Sequence, residues 1–361
     1  MKTNLYVLYG GKSAEHEVSL LTAFTVLNTL DKEKYNVYPI YITEEGIWCS
    51  LGLLDHELLD VDELRGSRTG VSPAASMGEL LCKLFSGEGS RVVLPVLHGT
   101  NGEDGTVQGM LELMDVPYTG NGVLTSAAGM DKVIMKELFA RAGIPQADYL
   151  ALLHYEWNQE AGRQCQRIEE TIGYPCYVKP ANLGSSIGIS RCENEQELYR
   201  AIELAFQYDR KLVIEKEVVG REVQLAVIGN DRPVCSVAGE FLKNREFFDY
   251  NKKYKSGQLI QQIPAHLSEE VHDRLRELSI QAFTALDGAG LMRADFFVTD
   301  EDEIYINEVN TLPGFTKISM FPALWAKTDG TTYGQLIDKL IELALERHAH
   351  KQNRSYRGNE Q

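Results

Sequence analysis

The period of the hydrophobic pattern changes along the chain, and those changes mark its elements. Near the start, the short apolar runs Leu5–Tyr9, Val37–Ile42 and Val92–Leu97 read as strands. Between them Val18, Leu21, Thr25 and Leu30, and later Leu80 to Phe85, fit helices. Such alternation predicts a parallel sheet with ligands gathered at the carboxyl ends of its strands. Two glycine-rich loops fall there: Gly10 to Glu17, and His98 to Gly105, the second leading into a helix over Thr106–Met114.

A boundary follows at Pro117–Gly122. Beyond it Met130–Ala142 reads as a helix stopped by Gly143 and Pro145. Tyr155–Gln166 is polar and reads as a loop. Cys176–Gly188 reads as two strands joined by a loop of small residues, Asn182-Leu183-Gly184-Ser185-Ser186. Asn194, with Glu197 three residues on, starts a helix reaching Tyr208. Strands over Leu212–Glu217, Glu222–Ile228 and Val234–Phe241 lead to an aperiodic aromatic and basic stretch at 247–257, which reads as a functional loop. Ser268 caps a helix to Leu286, and a last helix covers about Tyr333–Arg347 before a polar tail that reads as disordered.

The most informative stretch is Arg293–Phe315. Two apolar runs, Ala294–Thr299 and Ile304–Val309, flank the turn-prone Asp300–Glu303, which predicts an antiparallel hairpin. If the turn closes symmetrically, paired residue numbers sum to 603, so Asp295 faces Glu308 and Arg293 faces Asn310. All four then share one face, with Ala294, Phe296 and Val298 on the other. Directly opposed like charges destabilise a sheet unless something cationic lies between them. Two carboxylates and an amide form an all-oxygen set suited to Mg²⁺ or Mn²⁺. Taken alone, the pattern fits either such a site or a solvated acidic face.

Composition narrows the function classes. With 36 Lys+Arg against 52 Asp+Glu the net charge is −16, which argues against nucleic acid or an anionic membrane as partner. Any phosphate site must be local, and the serine loop with Lys179 upstream supplies one. No apolar run approaches membrane-spanning length, so a soluble, cytoplasmic protein is expected. The six cysteines show no metal-ligand spacing and read as buried thiols.

Several motifs carry two readings. The Gly11-Lys12-Ser13 sequence is not a phosphate-binding P-loop, because Tyr6 stands where that motif needs its first glycine. Glu15 and His98 lie at neighbouring strand ends and either converge on a ligand or belong to ordinary strand-to-helix turns. Asp104 reads as a helix-start residue. The Glu215-Lys216 pair either grips the edge of a base or is a plain strand-end charge pair.

Taken together, these motifs resemble the D-alanine:D-alanine ligases of the ATP-grasp superfamily. The resemblance rests on GGKSAEHEVS at 10–19, HGTNGEDGTVQG at 98–109, MDK at 130–132, VKPANLGSSIGIS at 178–190, DYNKKY at 249–254, RADFF from Arg293 and NEVNTLPGF to Phe315, in the family's order across nearly the whole chain. It implies an α/β, ATP-grasp fold: a Rossmann-like parallel-sheet substrate domain (1–122), a central lid (123–214), a catalytic domain (215–350) that encloses ATP with the lid, and a polar tail (351–361). It implies ADP-forming ligation of two D-alanines through an acyl phosphate for peptidoglycan precursor synthesis, by a homodimer.

By position in those motifs, Lys132, Lys179, Ser185 and Ser186 would hold phosphates, and Glu215, Lys216, Val218 and Glu222 would contact the adenosine. Asp295, Glu308 and Asn310 would bind a pair of Mg²⁺ ions. Arg293 and the Gly314 amide would stabilise an oxyanion. Glu15, linked to Ser185 and Tyr254, would take the first amino group, and Lys253, Ser319 and His98 would surround the second substrate. The Lys253-Tyr254 pair resembles the dipeptide-forming type, which implies an amine nucleophile. The rival readings are an ATP-grasp ligase for a different acid and amine, and a nucleotide-binding regulator without catalysis.

Overall fold

The computed structural model describes residues 2–85, 89–242 and 260–354, built around three sheets. The first holds β1 (Thr3–Gly10), β2 (Tyr35–Ile42), β3 (Trp48–Ser50) and β4 (Arg91–Pro95) in the order β3-β2-β1-β4, with β2, β1 and β4 parallel. From Leu5 onward β1 is buried on both faces: Leu5, Val7 and Tyr9 enter one core, Tyr6 and Leu8 another. That is why it reads as an unbroken apolar run. Helices α1 (His16–Thr29), α2 (Pro73–Phe85) and α3 (Thr106–Leu113) accompany this sheet. Asp104 accepts from the Asn101 and Thr106 amides at 2.8 and 3.0 Å and so shapes the start of α3, as expected.

Next come α4 (Val123–Met130) and α5 (Lys132–Ala142). The expected single helix from Met130 is divided at Asp131, whose carboxylate caps α5 through the Val133 and Ile134 amides, while Gly143 ends it at φ +73°. The middle sheet, wholly antiparallel, runs β5 (Tyr149–Leu153), β8 (Lys211–Lys216), β6 (Cys176–Pro180), β7 (Ser190–Cys192), with α6 (His154–Thr171) and α7 (Glu195–Ala205) on it. The expected loop at 155–166 is therefore helix. Its core side is a narrow stripe of Trp157, Cys165 and Ile168, and the charged remainder hides the period.

The third sheet is antiparallel, with order β12-β11-β9-β13-β14 and β10 paired to β9. Its strands are β9 (Arg221–Gly229), β10 (Val234–Cys235), β11 (Gly239–Leu242), β12 (Ile260–Gln262), β13 (Gly290–Val298) and β14 (Ile304–Asn310). The expected strand over 234–241 is broken where the Ser236 hydroxyl takes the Ala226 amide at 2.9 Å. The core beneath joins Val223, Leu225 and Phe296 to α5 and to α8 (Glu269–Ala285), which Ser268 caps as expected.

A helix missed in the sequence, α9 (Met320–Thr328), precedes α10 (Tyr333–Gln352), which runs further than expected. The α10 helix returns to the first sheet, where Asp338 accepts from Lys34 (2.5 Å) and the Tyr35 hydroxyl (2.9 Å), and Lys351 pairs with Glu112 at 2.6 Å. One core runs continuously from β1 through α9 and α10. Four cysteines are buried, but Cys82 is exposed and Cys235 half-buried, which corrects the reading of all six as buried; none forms a disulfide among the described residues. No helix among the described residues is long and apolar enough to cross a membrane.

Candidate active site

The three sheets meet around one cleft, whose floor is the β13–β14 hairpin. Next to the turn the paired numbers sum to 602, because a three-residue loop closes on Thr299 and Glu303 with Asp302 at φ +61°. A bulge between Ile306 and Glu308 inserts Asn307 and restores the sum of 603. Asp295 therefore does face Glu308, and Arg293 faces Asn310. The bulge also brings Asn307, adjacent to Glu308 in sequence, to the cleft beside it. The apolar face holds Ala294, Phe296 and Val298 in the core as expected, so the acidic face sits on a stiff support.

The protein's own cations meet the like charges. Arg293 forks onto Asp295 through Nε and Nη2, both at 2.7 Å. Asn310 donates to Asp295 Oδ2 at 3.1 Å, and the Lys132 ammonium lies 3.5 Å from Glu308. Arg293 thus lies on Asp295 as well as opening to the cleft.

One wall comes from the first sheet. Glu15 and His98, from the loops after β1 and β4, both line the cleft, so they do converge. Gly99 makes this approach workable: a Cβ there would fall 2.7 Å from Glu15 Oε2, and its φ is +73°. His98 contacts Thr22 at 3.0 Å and Glu103 at 3.4 Å. Burial opposes charge on His98, but Glu103 and Glu15 outweigh it and hold the imidazole above its ordinary pKa. Burial raises the Glu15 pKa, and the neighbouring Glu103 charge adds to the shift.

The roof is the small-residue loop after β6. Ser185 and Ser186 both sit in left-handed backbone, φ +52° and +59°, a conformation that costs a residue with a Cβ about 1–2 kcal/mol. The Ser185 hydroxyl donates to Glu15, and Lys132 donates to the Leu183 carbonyl at 3.0 Å. One serine and one lysine therefore tie the roof to the wall and the floor.

Behind the floor lies a buried charge cluster. Glu215, on β8, takes Lys179 at 2.6 Å on one oxygen and Lys136 at 3.2 Å on the other, and Lys179 also reaches Asn307 Oδ1 at 3.2 Å. Burial by itself would raise the Glu215 pKa, but Lys136 and Lys179 bring it down to about 2. Lys216 is exposed at the strand end, with its amide donating to the Asp148 carbonyl at 2.9 Å, and Val218 is half-buried. Ser319 accepts from the Thr316 amide at 2.9 Å. Lys253, Tyr254 and the stretch 247–257 lie outside the described residues.

The cleft brings together Glu15, His98, Lys132, Ser185, Ser186, Glu222, Arg293, Asp295, Glu308, Asn310 and Gly314. Lys179, Glu215, Lys216, Val218 and Ser319 are not among the side chains lining it. Its volume is about 140 Å³, roughly ten times what a single water needs, so it is no packing defect. The donors opposed on its floor are carboxylate and amide oxygens without sulfur or imidazole, a set that fits Mg²⁺. Sequence reasoning missed Glu103, Asn307 and Lys136. Only Glu103 had a visible signal, its place five residues after His98 in the same glycine-rich loop.

The chain is similar to known proteins along nearly its whole length. Residues 4–121 match the family described as D-ala D-ala ligase N-terminus, and residues 138–342 match D-ala D-ala ligase C-terminus. A D-alanine–D-alanine ligase of Bacillus licheniformis is 54% identical, covering 98% of each chain. The solved D-alanine-D-alanine ligase of Coxiella burnetii aligns with TM-score 0.79 and 31% identity over 97% of this chain and 96% of that one. A D-Ala:D-Ser ligase from Enterococcus faecalis aligns with TM-score 0.78 and 33% identity over 95% of this chain and 100% of that one. The chain belongs to the D-alanine–D-alanine ligase family and has its ATP-grasp fold.

Proposed function

We propose that the protein joins two molecules of D-alanine into D-alanyl-D-alanine at the expense of ATP, for peptidoglycan precursor synthesis in the cytoplasm, and that it does so as a homodimer. The observation that carries this reading is the facing arrangement in one cleft: an ammonium-binding carboxylate, Glu15, tied to the serine loop, opposite a floor of Asp295, Glu308, Asn310 and Arg293.

Glu15 takes the ammonium of the first D-alanine and leaves its carboxylate directed at the phosphoryl site. A carboxylate oxygen attacks the γ-phosphorus, the bond to ADP breaks, and an acyl phosphate forms. The nitrogen of the second D-alanine, having lost a proton, attacks the acyl carbon; the carbon–oxygen bond breaks and inorganic phosphate leaves with that oxygen. Arg293 and the Gly314 amide face the oxyanion of this second step. Lys132, Lys179 and the serine loop hold the phosphates, and Glu215, Lys216, Val218 and Glu222 contact the adenosine. Asp295, Glu308 and Asn310 would hold Mg²⁺, with Mn²⁺ as a substitute, and the ions supply charge neutralisation for the transferring phosphoryl group. The second substrate's carboxylate is taken by Lys253 and Ser319 beside His98, and Tyr254 joins the Glu15–Ser185 link.

The test is phosphate release from Mg-ATP with D-alanine alone, with D-alanine plus D-serine, and with D-alanine plus D-lactate, with products separated by mass. D-Alanyl-D-alanine as main product in every mixture supports the assignment. Predominant D-alanyl-D-serine or D-alanyl-D-lactate overturns the substrate choice, and no amino-acid-dependent phosphate release overturns the ligase reading.

A further inference from the structure

The side chain that the mechanism leaves unused is Lys136. It projects from α5 and is 1% exposed, among the largest fully buried side chains of the protein. A buried ammonium is costly; among the described residues Lys136 pairs with Glu215 at 3.2 Å, lies over the face of Tyr149, 5.4 Å from the ring centre, and feels the Glu308 charge. Glu215 is already satisfied on its other oxygen by Lys179 at 2.6 Å. Glu215 thus pairs directly with two lysines, and the Glu308 charge also acts on both.

The two lysines differ in what they can reach. Lys179 also touches Asn307, which lines the cleft, whereas Lys136 lies deeper. The Lys136 backbone is fixed as well: its carbonyl accepts from Gln146 at 2.8 Å, and Gln146 bridges to Ile306 on the hairpin.

We propose that Lys136 is a positioning residue for nucleotide binding, which keeps Glu215 paired when a nucleotide phosphate draws the Lys179 ammonium toward the cleft. This rests on the ATP-dependent reading above. Without Lys136, moving Lys179 onto phosphate would leave the buried Glu215 carboxylate without a cationic partner, a costly state in a protein interior. Lys179 would stay on Glu215, and phosphate would bind without it. With Lys136 in place the carboxylate has a partner before and after the transfer.

The experiment compares the wild-type chain with K136M and K136R, measuring calorimetric affinity for Mg-ADP, KM for ATP, KM for D-alanine, and kcat. K136M is expected to weaken Mg-ADP and raise the KM for ATP by about tenfold or more, while the KM for D-alanine stays within about twofold. K136R is expected to restore most of the nucleotide affinity. Unchanged nucleotide affinity in K136M overturns the inference alone. A parallel loss of kcat and both KM values that K136R does not rescue also overturns it, because that pattern marks a purely structural lysine. Should K136M fail to fold, K136Q takes its place under the same criteria. A wild-type chain that binds neither Mg-ADP nor ATP overturns the ligase reading and this inference together.

Discussion

The hairpin floor and the serine-loop roof face the same cleft but are built in opposite ways. The floor pairs Arg293, Asp295, Glu308 and Asn310 in strands whose other face is buried with Ala294, Phe296 and Val298. The roof has few side chains to bury; Ser185 and Ser186 are half-buried in left-handed backbone, and the loop is held by hydrogen bonds that include Ser185 to Glu15, Lys132 to the Leu183 carbonyl and Asn182 to Asp209. A core-backed sheet suits groups that must hold position around a highly charged phosphoryl group. A loop held by hydrogen bonds rather than by a packed core suits a cover that must admit and release a nucleotide. The two sides thus differ in support, a packed core below and hydrogen bonds above.

Substitutions on the two sides sharpen that division. The largest effect belongs to the floor: Asp295→Asn is expected to lower kcat by about a thousandfold or more, with the circular dichroism spectrum unchanged. Activity within tenfold of wild type would remove Asp295 from the chemistry. On the roof, Ser185→Ala deletes one hydrogen bond to a carboxylate, so kcat/KM for the amino acid should fall by about tenfold to a hundredfold, read by steady-state kinetics.

The wall between them predicts a pH effect. In the proposed mechanism Glu15 must be ionised to take an ammonium, and its pKa lies above the ordinary carboxylate value through burial first and the Glu103 charge second. As pH falls, the KM for D-alanine should therefore begin to rise at a pH above that of an unperturbed carboxylate. Glu103→Gln removes the repulsion and should move this acid limb to lower pH; a limb that stays in place assigns the shift to burial alone. Asp302→Gly should have the smallest effect. It relieves left-handed backbone in the hairpin turn, away from the cleft, and should stabilise the fold by about 0.5 kcal/mol with no change in turnover. A melting temperature that falls instead would show that the turn depends on the aspartate side chain.

The two regions were also unequally legible. The floor's key pairing follows from alternation and a symmetric turn, yet the true turn is one residue out of that register and the bulge at Asn307 restores it. The inferred pairing of Asp295 with Glu308 holds because two departures cancel, and Asn307 itself escapes notice because a bulge leaves no periodic trace. The serine loop is visible as a run of small residues, but its left-handed backbone and its bond to Glu15, 170 positions away in sequence, come from tertiary contact. Lys136 is the least legible: one lysine in a helix normally extends its charge to water, and only the meeting of α5 with β8 buries it on Glu215. The polar surface of α6 hides a helix for the opposite reason, since its buried stripe is too narrow to dominate the pattern.

If the roof and the floor close on a single phosphoryl transfer from ATP to a D-alanine carboxylate, an oxygen of that carboxylate must leave with the phosphate. This transfer is followed with D-alanine labelled by ¹⁸O in its carboxylate, tracing the label into products by mass spectrometry. One ¹⁸O is expected in each phosphate released, carried there through the acyl phosphate, at a stoichiometry of one labelled phosphate per dipeptide. Phosphate released without ¹⁸O while dipeptide accumulates would contradict it.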